Sequence, residues 1–311
     1  MTLAPFVQII ARGQGRARAM TCDEARDAMT LILSGQAEPE AVGAMLMVLR
    51  LRGETADEIA GFTAALRAHP SALVPRADLD WPVYAAGRTR GAPLFVLAAR
   101  LVARAGYTVH MHGWNGETEA AALLRKIMTF CGSGIVYTPL ESLNKDAYRI
   151  LRLRDTFGLR SCFNTVLRMW NPSKAPVSLQ GVFHPSYRGL QAMAAEQLGD
   201  DTLTIIKGGG GEFERHPAKD IAVFGLRNGQ HIRKTVPALV GETRRLSDAS
   251  ASVDAEALWR GDQNDSFAEC TVTGTAALAL WSLKAAATFE SAQELADALW
   301  SERRSSERLR A

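Results

Sequence analysis

The stretch that decides the fold runs from Trp81 to Met111. It reads Trp81-Pro82-Val83-Tyr84-Ala85, a loop between Gly87 and Gly91, a helical run from Pro93 to Ala105, and Thr108-Val109-His110-Met111. The first and last pieces are short strands. Pro82 has no backbone N–H, which assigns it to the first position of its strand rather than the interior. Strand, glycine loop, helix and strand in that order form the unit from which parallel α/β domains are built. Further on, Thr202 to Ile206 reads as a buried strand leading into Lys207 and four consecutive glycines. Ala222 to Leu226 and Gln230 to Val236 read as two more strands. The chain then returns to helix over Val272 to Ala287, and Ser291-Ala292-Gln293-Glu294 caps a last helix carrying Leu295, Leu299 and Trp300.

Before residue 80 the pattern is helical only. Thr21-Cys22-Asp23-Glu24 and Thr55-Ala56-Asp57-Glu58 are capping boxes, in which the Thr hydroxyl accepts from the N–H three residues on and the Glu reaches back. Between them, Val42, Met45, Leu46 and Leu49 recur at helical spacing and Gly53 ends the run. Short connections between such helices imply a small antiparallel bundle.

With 311 residues there is room for about two domains at roughly 100–200 residues each. Hydrophobic residues are 47% and charged residues 22% of the chain, enough for a sizeable core and against disorder. The four cysteines, at 22, 131, 162 and 270, form no Cys-x-x-Cys pair, so neither a disulfide framework nor a zinc finger is expected. Cys270 to Leu283 is uncharged but, at 14 residues, short of the roughly 18 that span a bilayer. The N-terminus lacks a basic start and a cleavage site, so the expected location is the cytoplasm, with no membrane partner.

The net charge of +3 is mild, but it is unevenly spread. Lys145 to Lys174 holds seven basic residues against two acidic ones, and Ala86 to Gly116 holds four arginines and no acid. Asp248 to Glu269 reverses the balance, with six acids and one arginine. Two basic segments beside glycine-rich loops point to an anion site.

The N-terminal residues Leu33-Ser34-Gly35-Gln36, Val42 to Arg50, Arg52-Gly53-Glu54-Thr55 and Asp57 to Gly61 resemble the helical domain of anthranilate phosphoribosyltransferases, members of glycosyltransferase family 3. Gly158 to Asn164 followed by Asn171-Pro172 is similar to that family's Arg-(Thr/Ser)-x-Phe-Asn … Asn-Pro segment. Val182 to Pro185, with Met193-Ala194 and Leu198-Gly199, is a third match. The resemblance implies an α/β plus all-α fold: a helical domain over 1–79, completed by a helical segment near 140–172, beside an α/β domain over 80–139 and 173–311 with a mainly parallel central sheet. It also implies a homodimer joined through the helical domain.

The family's phosphoribosyl pyrophosphate (PRPP) motifs are altered. Gly-Thr-Gly-Gly-Asp corresponds to Ala85-Ala86-Gly87-Arg88-Thr89, Asn-x-Ser-Thr to Pro93-Leu94-Phe95-Val96, and Lys-His-Gly-Asn to Met111-His112-Gly113-Trp114. The magnesium-holding Asp-Glu pair corresponds to Phe213-Glu214. Glycines let the backbone approach a pyrophosphate, and magnesium wants carboxylates, so PRPP chemistry is expected to be lost. Lys207-Gly208-Gly209-Gly210-Gly211-Glu212 looks like the Lys-Gly-x-Gly-Gly-Glu signature of a divergent branch of the family implied to bind nucleic acid.

The expected function is therefore binding of nucleic acid without sequence specificity, single-stranded DNA or RNA, in a basic cleft. The expected phosphate contacts are Lys207, a nest of N–H groups from Gly208, Gly209, Gly210 and Gly211, and Arg88, Arg90, His112, Arg160, Arg168 and Arg215. Trp114 is a candidate to stack a base or to fill space left by the ancestral ligand. Arg160 matches a family arginine that contacts the aromatic acid substrate; here it would hold a phosphate or pair with Asp155. No carboxylate lies within four positions of His112, which makes it a hydrogen-bonded loop histidine rather than a general base. Glu212 and Glu214 have no third partner in view, so no metal and no cofactor are expected. Two other readings stay open: a glycosyltransferase with an altered donor or acceptor, using PRPP and magnesium, and a regulator that binds a small anion.

Overall fold

Both N-terminal capping boxes form as their spacing predicts. In the computed structural model, which describes residues 2–13, 15–84, 92–114, 126, 128, 132–242, 244–246 and 253–303, Thr21 caps helix α2 (Cys22–Leu33) and Thr55 caps α4 (Ala56–Ala68). Helix α1 (Ala4–Ala11) and α3 (Pro39–Arg52) complete the first bundle. The Glu58 carboxylate does more than cap. It is fully buried, accepts from the Thr55 and Met20 N–H groups, and takes Arg52 at 2.5 Å, tying the ends of three helices together. α2 and α4 cross so closely that a Cβ on Gly61 would sit 2.2 Å from the Cys22 carbonyl oxygen, so only glycine fits.

The sheet has seven strands among the described residues, in the order β3-β2-β1-β4-β5-β6-β7. These are β1 (Leu79–Val83), β2 (Val109–Gly113), β3 (Ile135–Pro139), β4 (Val177–Val182), β5 (Thr202–Lys207), β6 (Ile221–Arg227) and β7 (Gln230–Val236). The first five are parallel; β6 and β7 run antiparallel at one edge. Pro82 lies inside β1, not at its start. The β4 ladder ends at Asp80↔Ser178, so the missing N–H falls beyond the last β1–β4 pair.

Side-chain alternation sorts the strands between two cores. Leu79, Trp81 and Val83 face one, built with α5 (Leu94–Arg104), α11 (Ser266–Ser282) and α12 (Phe289–Glu302). Leu203 and Ile205 face the other, shared with α1 to α4, with the helices α6 (Leu140–Leu143), α7 (Lys145–Phe157) and α8 (Phe163–Arg168), and with α9 (Tyr187–Gln197). Helix α10 spans Ala255–Arg260. The uncharged Cys270–Leu283 stretch is the body of α11, buried on nearly every side, with Thr271 and Thr275 hydroxyls returned to carbonyls four residues back. No helix among the described residues is long and apolar enough to cross a membrane.

Two helix limits differ from expectation. α11 begins at Ser266 because Asp265 accepts from the Ala268 N–H, and it ends at Ser282, before Ala285. The last helix is capped by Thr288, with Ser291 as its reciprocal partner, not by Ser291.

Candidate functional site

Because β1, β2, β4 and β5 are parallel, their carboxyl ends open on one edge, where ligands of α/β sheets bind. Tyr84 follows β1, Trp114 follows β2, Phe183 follows β4 and Gly208 follows β5. A cavity of about 680 Å³ opens there, between the strand ends and the α7–α8 segment. That volume suits one nucleotide-sized ligand.

Its wall is basic. Arg50, Arg154, Arg160 and Arg168 line it, from the end of α3, from α7, from the loop after it, and from α8. Gly158, left-handed at φ 65°, ends α7 and turns the loop carrying Arg160 along the cavity. Burial, then the nearby charges of Arg154 and Arg50, lower the Arg160 pKa, with Glu212 opposing. Burial and Arg160 do the same to Arg168, against Glu212 and Tyr84. Mutually repelling guanidinium groups around a cavity favour an anion inside it. Asp155 does not neutralise Arg160; it pairs with Arg152 at 2.5 Å. The aromatic side chains of Phe183 and Tyr187 complete the wall, with His184 between them in sequence. Phe183 is 57% exposed and meets the His184 ring edge-on at 4.9 Å.

The other expected anion ligands divide differently. Lys207 is exposed at the end of β5. The glycine nest is largely closed on itself: the N–H of Gly208 goes to Val182 O, that of Gly209 to Glu214 O and that of Gly211 to Gly208 O. Gly210 alone of the four lines the cavity. Arg215 is 1% exposed; its Nη2 donates to the Pro237 carbonyl, its backbone N–H to Thr275, and burial pushes its pKa down to about 10. It is a core arginine held by α11 and the chain after β7, and it does not line the cavity. Arg88 and Arg90 lie outside the described residues, as does the whole 85–91 loop. Trp114 packs against the second core and carries the Arg154 guanidinium 4.8 Å from its ring centre, so one side of the indole is already taken.

His112 is not a loop residue. It lies within β2 and is fully buried, so it cannot meet a nucleic-acid phosphate. Its Nδ1 is 2.9 Å from the Tyr84 hydroxyl, and its Nε2 is 3.2 Å from Asp80 Oδ1, an ion-pair distance with poor hydrogen-bond geometry. The carboxylate absent from its sequence neighbourhood comes from the adjacent strand, where Pro82↔His112 and Asp80↔His110 are paired.

Magnesium does not fit the residues where the family's carboxylate pair would stand. Phe213 is fully buried against Trp81, ring centres 5.6 Å apart and edge-on, and the Glu214 carboxylate accepts from the Phe95 N–H. Among the described residues no group of three or more His, Cys, Asp or Glu is placed to hold a metal.

Residues 6–70 match the glycosyl transferase family, helical bundle domain. The chain is 30% identical over 226 residues to anthranilate phosphoribosyltransferase of Rhizobium rhizogenes, covering 67% of this chain and 65% of that protein. With the enzyme of Brucella suis it shares 29% identity over 280 residues, 82% of this chain and 80% of the relative. The chain carries the helical bundle domain of the glycosyl transferase family and is similar over most of its length to anthranilate phosphoribosyltransferases. The solved anthranilate phosphoribosyltransferase of Thermus thermophilus superposes with a TM-score of 0.77 at 21% identity, over 92% of this chain and 93% of that one. The Saccharomyces cerevisiae enzyme in complex with PRPP and Mg gives 0.74 at 17% identity, over 97% and 94%. Within this anthranilate phosphoribosyltransferase-like fold, sequence reading singled out Arg160 and Arg168 but missed Arg50, Phe183, Tyr187 and Gln191. The aromatic-rich run Phe183-His184-Pro185-Ser186-Tyr187 directly after a strand was the available signal for two of them.

Proposed function

We propose that this chain binds single-stranded nucleic acid in the arginine-lined cavity and across its mouth, and that it does not transfer a phosphoribosyl group. The observation that carries the reading is the wall itself: Arg50, Arg154, Arg160 and Arg168 face one space of about 680 Å³. Phosphates neutralise such a cluster, and Phe183, exposed at the rim, offers a ring on which any base stacks. Lys207 extends the positive surface along the strand ends. Loss of transfer follows from Arg88 within the former PRPP loop and from the buried Phe213 at a former carboxylate position.

The test is titration of fluorescent random-sequence oligonucleotides at two salt concentrations, beside an assay of PRPP-dependent pyrophosphate release with anthranilate. Salt-sensitive binding that Phe183→Ala weakens, with no pyrophosphate released, is the expected result. Product formation abolished by Arg160→Ala, with no oligonucleotide bound, would return the chain to transfer chemistry.

The same reading includes a homodimer joined by the N-terminal helices. Leu51 on α3 is 91% exposed, and Met47 and Val48 on that helix are only half-buried. Light scattering at micromolar concentration should give twice the chain mass, and Met47→Glu with Leu51→Glu should halve it; a monomer in both cases contradicts the dimer.

A further inference from the structure

Three buried polar side chains in the cavity, and the half-buried Arg154 through its Nη1, have groups that the protein itself leaves unmatched. Gln191 on α9 is fully buried, and neither its Oε1 nor its Nε2 has a hydrogen-bond partner. Asn164, 6% exposed, leaves Nδ2 unmatched, and Arg168, 7% exposed, leaves Nη2. All three line the one cavity. Buried polar groups in folded proteins almost always find partners, so several unmatched groups around one space mark a place where a ligand supplies them.

Their inventory describes that ligand. Asn164 Nδ2, Arg168 Nη2, Arg154 Nη1 and Gln191 Nε2 are donors, and Gln191 Oε1 is the one acceptor. The matching edge carries more acceptors than donors. Thymine and uracil present two carbonyl oxygens around one N–H, and cytosine presents a carbonyl oxygen and a ring nitrogen beside one amino group. The pairing edge of adenine offers one of each, and that of guanine more donors than acceptors. Resting on the nucleic-acid reading above, we infer that the cavity accepts one base turned out of the strand and that Gln191, Asn164 and Arg168 select a pyrimidine there. The rest of the strand is held through its phosphates and stays blind to sequence.

The experiment compares 12-nucleotide single strands of equal charge: all-thymine, all-cytosine, all-adenine and abasic. Fluorescence anisotropy should show the two pyrimidine strands bound roughly tenfold more tightly than the other two, the scale of one good base contact. Gln191→Met keeps the side chain's size and removes both amide groups. It should bring the thymine strand to the abasic level while leaving abasic binding and its salt dependence in place. Should that variant fail to fold, Asn164→Asp exchanges a donor for an acceptor and should narrow the preference in the same way. Equal binding of all four strands by the wild type keeps the nucleic-acid reading and overturns the pyrimidine site. A preference that survives in both variants also overturns it, because it then reports stacking within the free strand. Absence of any binding at low salt overturns both.

Discussion

The turn after β5 and the cavity beside it are both glycine-marked and basic in sequence, yet they treat their polar groups in opposite ways. In the Lys207–Gly211 turn, three of the four glycine N–H groups are taken by Val182, Glu214 and Gly208 carbonyls. On the strand face nearby, His112 lies between Tyr84 and Asp80. In the cavity, Arg168, Asn164 and Gln191 keep groups to spare. A glycine run shows where the backbone approaches something closely; whether that is a ligand or the chain itself depends on where the N–H groups go. Here the close approach is internal, since a Cβ on Gly208 would lie 1.5 Å from the Glu212 carbonyl oxygen.

This contrast is open to attack from both sides. Gly208→Ala should have the largest effect, and on folding: forcing a methyl against that carbonyl costs about 3 kcal/mol, read as a lower urea midpoint, while the protein that folds still binds oligonucleotide. Normal stability with lost binding would restore the nest as the anion site. In the cavity the prediction inverts. Arg160→Glu should reduce oligonucleotide affinity by about 2 kcal/mol, roughly thirtyfold, with a shallower salt dependence. Arg168→Met should weaken binding yet leave the free protein as stable or more so, because an unpaired buried guanidinium is replaced by packing. A large drop in its thermal midpoint would show that Arg168 is structural.

How much of this was legible in the sequence depends on range. Capping boxes at Thr21 and Thr55 are local patterns, and the helices start there. Five of the seven described strands fall near their expected places because apolar runs bounded by turn residues are local too, whereas β3 and β4 were not expected. Asp80 and His112 meet across two parallel strands, 32 positions apart, and spacing in the chain carries no trace of that. Gln191 looks like an ordinary helix residue; only burial without a partner distinguishes it. The excess of arginine over Lys145–Lys174 did point to the cavity wall, because Arg154, Arg160 and Arg168 all come from it. Arg215 read equally well as a ligand, and only its burial against α11 assigns it to the core.

The strand-face cluster yields a pH prediction. Burial, then the neighbouring His112, holds the His110 pKa down at about 4, with Asp80 opposing. Its Nε2 is 3.1 Å from the Thr138 hydroxyl. The ordinary value is near 6.5, so the unfolded chain takes the proton first as pH falls. Stability from this group is complete above about pH 6.5 and is lost as pH drops toward 4, a change of about 3 kcal/mol. Denaturant midpoints measured across that window should slope downward, and His110→Gln should flatten the slope. An unchanged slope would mean that this wall opens to water and is not the closed counterpart of the cavity.

Lys207 is the smallest test and the one that locates the boundary between the two regions. It stands exposed at the end of β5, paired in register with Val182, which lines the cavity. An exposed lysine meets a phosphate as a point charge, without the fixed geometry of the arginines. Lys207→Ala should therefore weaken every oligonucleotide alike, by about threefold at low salt, and reduce the log–log salt slope by roughly 0.7, the share of one phosphate on a single strand. Lys207→Glu should do more, through repulsion. Arg12→Ala, at an exposed arginine away from the cavity, is the control and should change little. A loss at Lys207 as large as that at Arg160 would make the glycine turn part of the main anion site, and no loss at all would confine binding to the cavity.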